Sequence, residues 1–99
     1  MQSAYDSAFV REMGCTPQEW LQWLPDAIGP HPWVLARQEA NVNFPAGRLH
    51  LSWAELPPRR IALLKMPRLQ VAFQFEGLDA AERYLFMKRF DLYMQRGGG

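Results

Sequence analysis

From Ala40 to Phe75 apolar side chains alternate with polar ones through several consecutive segments. Val42 and Phe44, then Leu49, Leu51 and Trp53, then Ile61 and Leu63, then Leu69, Val71, Phe73 and Phe75 all keep a period of two. That period sets them on one face of a pleated sheet. Directly afterwards, from Ala80 to Gln95, the period changes to that of a helix. Phe86, Met87, Phe90, Tyr93 and Met94 gather on one side of it, with Tyr84, Lys88, Asp91 and Gln95 opposite. Such a helix is the natural cover for the apolar side of the sheet.

The spacing predicts two short helices before the sheet. Ser3 caps the first, with Tyr5, Phe9 and Met13 as its apolar stripe and Gly14 at its exit. Thr16-Pro17-Gln18-Glu19 starts the second: a threonine N-cap, a proline where no amide hydrogen is needed, and a glutamate three residues on to close a capping box. Pro25 is expected to end it, because its ring clashes with the carbonyl four residues back. Gly29-Pro30-His31-Pro32 then forms a hinge.

Four strands are expected between residues 33 and 76. The first spans Trp33 to Phe44, and Gln38 breaks its series, marking a bulge or a division into two pieces. A turn at Pro45-Ala46-Gly47-Arg48 sets Phe44 opposite Leu49, Val42 opposite Leu51 and Ala40 opposite Trp53. Pro57-Pro58 cannot donate to a ladder, so 54–60 reads as a loop. Trp53 would then face Ile61, and Leu51 would face Leu63. A final loop at Met66-Pro67-Arg68 pairs Leu63 with Val71 and Ile61 with Phe73. Asp79 and Glu82 make a second capping box, opening the last helix.

The expected fold is therefore α+β: two short N-terminal helices, a four-stranded antiparallel β-meander and a C-terminal helix packed on one sheet face. It reads as a single globular domain over 1–99, with a helical region at 3–28, the sheet at 33–76, the helix at 79–95 and a flexible tail at 97–99. Ninety-nine residues suffice for one core.

Composition narrows the function classes. No apolar run approaches the roughly 20 residues that span a bilayer, and the N-terminus lacks the basic start and apolar block of a secretory signal. With a single cysteine, these features point to the cytoplasm and to no membrane partner. The net charge of +1 argues against a dedicated polyanion binder. The halves differ: residues 1–50 hold five acids and three bases, residues 51–99 five acids and eight bases.

Candidate chemistry is sparse. Cys15 precedes a helix start, which favours a thiolate, yet neither a base nor a resolving thiol lies nearby in sequence. His31 and His50 are the two histidines, without metal-ligand spacing. No residue set supplies a nucleophile, a base and a charge stabiliser together, so no catalytic residue, metal or cofactor is assigned and the chain reads as non-catalytic. Arg96-Gly97-Gly98-Gly99 is superficially similar to the tails of ubiquitin-like and sulfur-carrier proteins. Those follow a strand, whereas residues 89–95 read as helix.

Three functional readings follow. The first is a small protein-interaction module, binding another protein or a second copy of itself. Leu85 and Leu92 form a second helix stripe that needs a cover, Leu64 lies on the nominally polar side of the sheet, and Arg59 and Arg60 sit on a stiff turn. The second is an apolar-ligand binder with a cavity between sheet and last helix, lined by Trp53, Phe73, Met87 and Met94. The third is a nucleic-acid or acidic-partner binder using Arg59, Arg60 and an outer sheet face bearing Arg37, Arg48, His50 and Arg68. Against it, the strand aromatics that would stack on bases point into the core.

Overall fold

The computed structural model describes residues 4–96. Over these residues the fold is α+β, with one antiparallel sheet of five strands and two helices. The elements are β1 (Ala8–Met13), α1 (Pro17–Ile28), β2 (Trp33–Ala36), β3 (Glu39–Asn43), β4 (Arg48–Ile61), β5 (Leu64–Glu76) and α2 (Ala80–Arg96). In the sheet the order is β1-β5-β4-β3-β2.

The expected first helix is a strand. Tyr5, Phe9 and Met13 are spaced by four, which suits a helix face, but four is also a multiple of two. The same residues therefore share one face of a strand, and the spacing alone does not separate the two cases. β1 pairs with β5 from Ala8 opposite Gln74 to Met13 opposite Leu69. Phe9 stacks on Phe73 with ring centroids 4.6 Å apart. The sheet thus has five strands rather than four, and one helix rather than two precedes β2. The proposed Ser3 cap and the 97–99 tail lie outside the described residues.

α1 opens as its sequence dictates: Thr16 Oγ1 accepts from the Glu19 amide at 3.1 Å, and the Thr16 amide donates to Glu19 at 2.9 Å. It does not stop at Pro25. The proline lies on the exposed side, where the carbonyl it strands can meet water, and the helix runs on to Gly29, whose φ of 78° suits a residue without a Cβ.

The stretch 33–44 is a hairpin, with Trp33 opposite Val42 and a two-residue turn at Arg37-Gln38. Gln38 marks a reversal of direction, not a bulge. The next turn occupies 44–47, so Val42 meets Leu49 and Ala40 meets Leu51. That is two residues from the expected register, and a shift of two keeps every side chain on its face.

The largest departure concerns 54–68. No loop separates two strands at 54–60, and no loop forms at Met66–Arg68. β4 continues to Ile61, turns at Ala62-Leu63 and returns as β5, so Leu49 meets Phe75, Leu51 meets Phe73 and Trp53 meets Val71. The pairings expected for Ile61 and Leu63 in the core do not exist. The prolines do interrupt the ladder: the register skips from Leu56–Arg68 to Arg59–Met66, leaving Pro57 and Pro58 against Pro67 in a bulge. Three residues that lack amide donors are gathered where the ladder is interrupted.

Both helices cover the same sheet face. Leu49, Leu51, Leu69, Val71 and Phe73 are fully buried beneath them, and Trp53 is 6% exposed. Trp20 of α1 packs on Trp53 and on Phe90 of α2, at 5.4 and 5.9 Å between ring centroids. Phe90 meets Phe73 edge-on at 5.5 Å. Asp91 of α2 receives Arg11 and the Tyr5 hydroxyl, tying the helix to the β1 edge. The expected cover of the sheet by the last helix is what the chain adopts, with α1 beside it.

Candidate functional site

β1 flanks β5 only from Leu69 to Gln74, and β3 flanks β4 only from Arg48 to Ser52. From the Leu56–Arg68 rung outward the β4–β5 hairpin has no neighbouring strand on either side among the described residues. Six residues of β4 lie in this free part, a length of roughly 20 Å. The described residues span 47 × 30 × 21 Å, an elongated outline that suits such an arm.

The two faces of the arm differ. Arg59 pairs with Met66, Arg60 with Lys65 and Ile61 with Leu64. Directly opposite residues share a face and successive residues alternate. Ile61, Leu64 and Met66 therefore lie together with Arg59, while Arg60 and Lys65 lie on the reverse. Arg59 and Arg68 both reach Glu12 of β1, at 3.4 and 2.8 Å, and Arg68 also donates to the Pro57 carbonyl at 3.1 Å. Glu12 faces away from the helices, because its neighbours Arg11 and Met13 face toward them. The apolar side of the arm is therefore continuous with the outer, uncovered face of the sheet. The Arg68 hydrogen bond is the main reason that the Glu12 carboxyl is held below its usual range.

The tip is apolar where hairpin turns are usually polar. A two-residue turn favours Asn, Asp or Gly, because positive φ is required. Here Ala62 adopts φ 54°, followed by Leu63, which has no cover at all. Ile61, Leu64 and Met66 are 53%, 66% and 48% exposed. Four neighbouring apolar side chains thus stand in solvent at the end of the projection. A shallow cleft of about 330 Å³ lies at the arm's base, between Thr16 and Glu55, Leu56, Pro58, Lys65 and Pro67.

Of the residues singled out for interaction, Leu64, Arg59 and Arg60 come together on the arm. Leu85 and Leu92, 67% and 45% exposed, lie on the solvent side of α2, uncovered by α1. Ile61 and Leu63, expected in the core, are surface residues, and Met66, expected in a loop, joins them on the strand. The alternation of Ile61 and Leu63 is that of a core strand, and the signal that separates them is the proline triad with the basic residues around the turn. Trp53, Phe73, Met87 and Met94, expected to line a cavity, are all buried in the core under the helices. The outer-face bases are largely engaged within the chain: Arg48 with Glu76 at 3.0 Å, and His50 between Asn41 at 2.9 Å and Glu39 at 3.0 Å.

Cys15 is 1% exposed, and burial, helped by Glu19, pushes its thiol up to about 11. That is opposite in sense to an activated thiolate. Burial, with Arg89 nearby, lowers the pKa of His31, which packs between the rings of Phe44 and Phe86. Among the described residues no group of three His, Cys, Asp or Glu side chains could hold a metal ion, and no helix is long and apolar enough to cross a membrane. No protein-family model matches the chain, and neither does any curated protein.

Proposed function

We propose that the chain is a protein-interaction module whose contact element is the β4–β5 arm. The observation that carries this reading is the cluster of Ile61, Leu63, Leu64 and Met66 in solvent at the end of the hairpin. Apolar side chains in that number are rarely left together on a surface without a partner. The turn supports the same reading, since Ala62 stands at φ 54°, where glycine or asparagine would be unstrained.

The arm is built to dock by its face and not by its edges. Strand edges beside an exposed hairpin invite pairing with other chains, and prolines and cations blunt them. Pro57, Pro58 and Pro67 interrupt both edges, and Arg59, Arg60 and Lys65 follow at once. What remains available is a side-chain surface, joined to β1 by the two bonds to Glu12.

The test places a photo-crosslinking residue at position 63 and, as a control, at Gln22 on the exposed side of α1. Illumination in extract of the native host should give discrete protein adducts from position 63 and none from position 22. Adducts from both positions alike, or none from position 63, would remove the reading.

A further inference from the structure

We propose that the reverse of the β4–β5 arm carries a peptide-binding cleft. Its ligand is an extended segment of a partner protein, with a basic and an acidic residue four positions apart and an apolar residue midway. The site faces away from Ile61, Leu64 and Met66 and does not depend on what covers them.

Alternate residues of β5 turn to the helix side of the sheet: Leu69, then Pro67, then Lys65. Leu69 is fully buried, and beyond it the arm leaves the cover of α1, which begins at Pro17. The step between the start of α1 and the arm is the cleft of about 330 Å³. Its apolar lining is Leu56 with Pro58 and Pro67, all three half-buried. Glu55 stands at the inner end, on the rung of Leu69. Lys65 stands at the outer end, with Arg60 on the same rung. Thr16 serves as a wall, because its hydroxyl oxygen already accepts from the Glu19 amide.

The charges at the two ends have no partner of their own. Among the described residues the ion pairs use Glu12, Glu39, Glu76 and Asp91 as their acids, and the side chains of Glu55, Arg60 and Lys65 enter no ion pair or hydrogen bond. Arg60 and Lys65 also oppose each other directly, and like charges across one rung repel. A carboxylate lying between them relieves both. At the other end Glu55 favours a cation. The cleft thus runs from negative through apolar to positive, and its ligand carries the complementary order.

Spacing selects the form of that ligand. From the Leu69 rung to the Lys65 rung β5 advances by about 13 Å at strand rise. No single amino acid spans that length. In an extended peptide, positions i, i+2 and i+4 share one side at intervals of about 6.7 Å. They meet Glu55, the proline floor and the Arg60–Lys65 rung in turn. A helix, about 10–12 Å across, is too thick to enter. The ion pairs are exposed, so binding is expected to be weak and to fall with added salt.

The probe is the peptide acetyl-Gly-Lys-Ser-Leu-Ser-Glu-Gly-amide, titrated into the isotope-labelled full chain. Amide signals of Thr16, Glu55 and Lys65 should shift with a dissociation constant of about 1 mM or below, while those of Val10, Glu12 and Leu85 stay still. The variant R60E/K65E should weaken binding about fivefold or more. Glutamine in place of the peptide's glutamate should weaken it too, a comparison that needs no protein variant to fold. Glu55→Lys should lower the affinity for the mixed peptide and raise that for a version with glutamate at both charged positions. Met66→Ser, on the apolar face, should leave the affinity unchanged. Shifts centred on Val10 and Glu12, an affinity indifferent to R60E/K65E, or no shift at about 5 mM peptide would each overturn the proposal. None of these outcomes bears on crosslinking from position 63, so the cleft and the apolar face stand or fall separately.

Discussion

β4 and β5 form one continuous hairpin with two very different halves. Between Leu49–Phe75 and Trp53–Val71 the rungs carry strands on both flanks or helices above, and their inward side chains are almost wholly excluded from water. Beyond the bulge the ladder resumes, the alternation of apolar and polar residues resumes, and among the described residues no helix or further strand covers either side. An alternating pattern therefore reports that a strand has an apolar face. It does not report whether that face is filled from within the molecule. Cover comes from the helices, and it ends at the Glu55–Leu69 rung.

Four tests press on this contrast between body and arm, and a fifth measures how the arm's turn is held. The largest effect belongs to the body: Phe90→Ala should cost about 3–5 kcal/mol in chemical denaturation, because the ring is fully buried between Trp20 and Phe73. A cost near zero would mean that α2 does not close the core. Asp91→Ala removes the acceptor shared by Arg11 and Tyr5. Since the ion-paired side chains are about one quarter exposed, a loss of about 1–2 kcal/mol is expected after solvent screening.

His31 adds a pH-dependent component to the body. Its pKa is lowered in the fold, so the unfolded chain binds the proton more readily. Stability is complete above the ordinary value of 6.5 and falls as pH drops through the lowered one. Denaturation midpoints should decline across that interval, and His31→Leu should flatten the decline.

In the arm, Ala62→Gly relieves the positive φ and should stabilise the hairpin locally by roughly 0.5–1 kcal/mol. The readout is slower hydrogen exchange at the amides of 59–66, with the body unchanged. Smallest of all, Leu63→Asp should lie within about 0.5 kcal/mol of wild type in global stability. A large loss there would show that the tip is packed and that the two halves are alike after all.

The legibility of the chain follows the same divide. Both capping boxes, Thr16–Glu19 and Asp79–Glu82, could be read because each is local chemistry within four residues. The buried set Phe86, Met87, Phe90 and Met94 could be read because a helix face repeats on a short period. β1 could not, since Tyr5, Phe9 and Met13 satisfy two periods at once. Ile61 and Leu63 were assigned to the core because a hydrophobic pattern carries no information on what lies above it. Leu64 broke the expected parity, and with the proline triad it was a visible trace of the arm.

By itself the chain's order of residues determined which segments are helical caps, which side chains share a face, and that an apolar strand surface lies under a terminal helix. These follow from short-range backbone geometry and from the removal of apolar groups from water. Only the tertiary structure decided which strand neighbours which, where the helices run out, and hence which apolar residues remain in solvent. Strand pairing joins residues distant along the chain, and coverage depends on the reach of other elements; neither quantity is encoded in any local spacing.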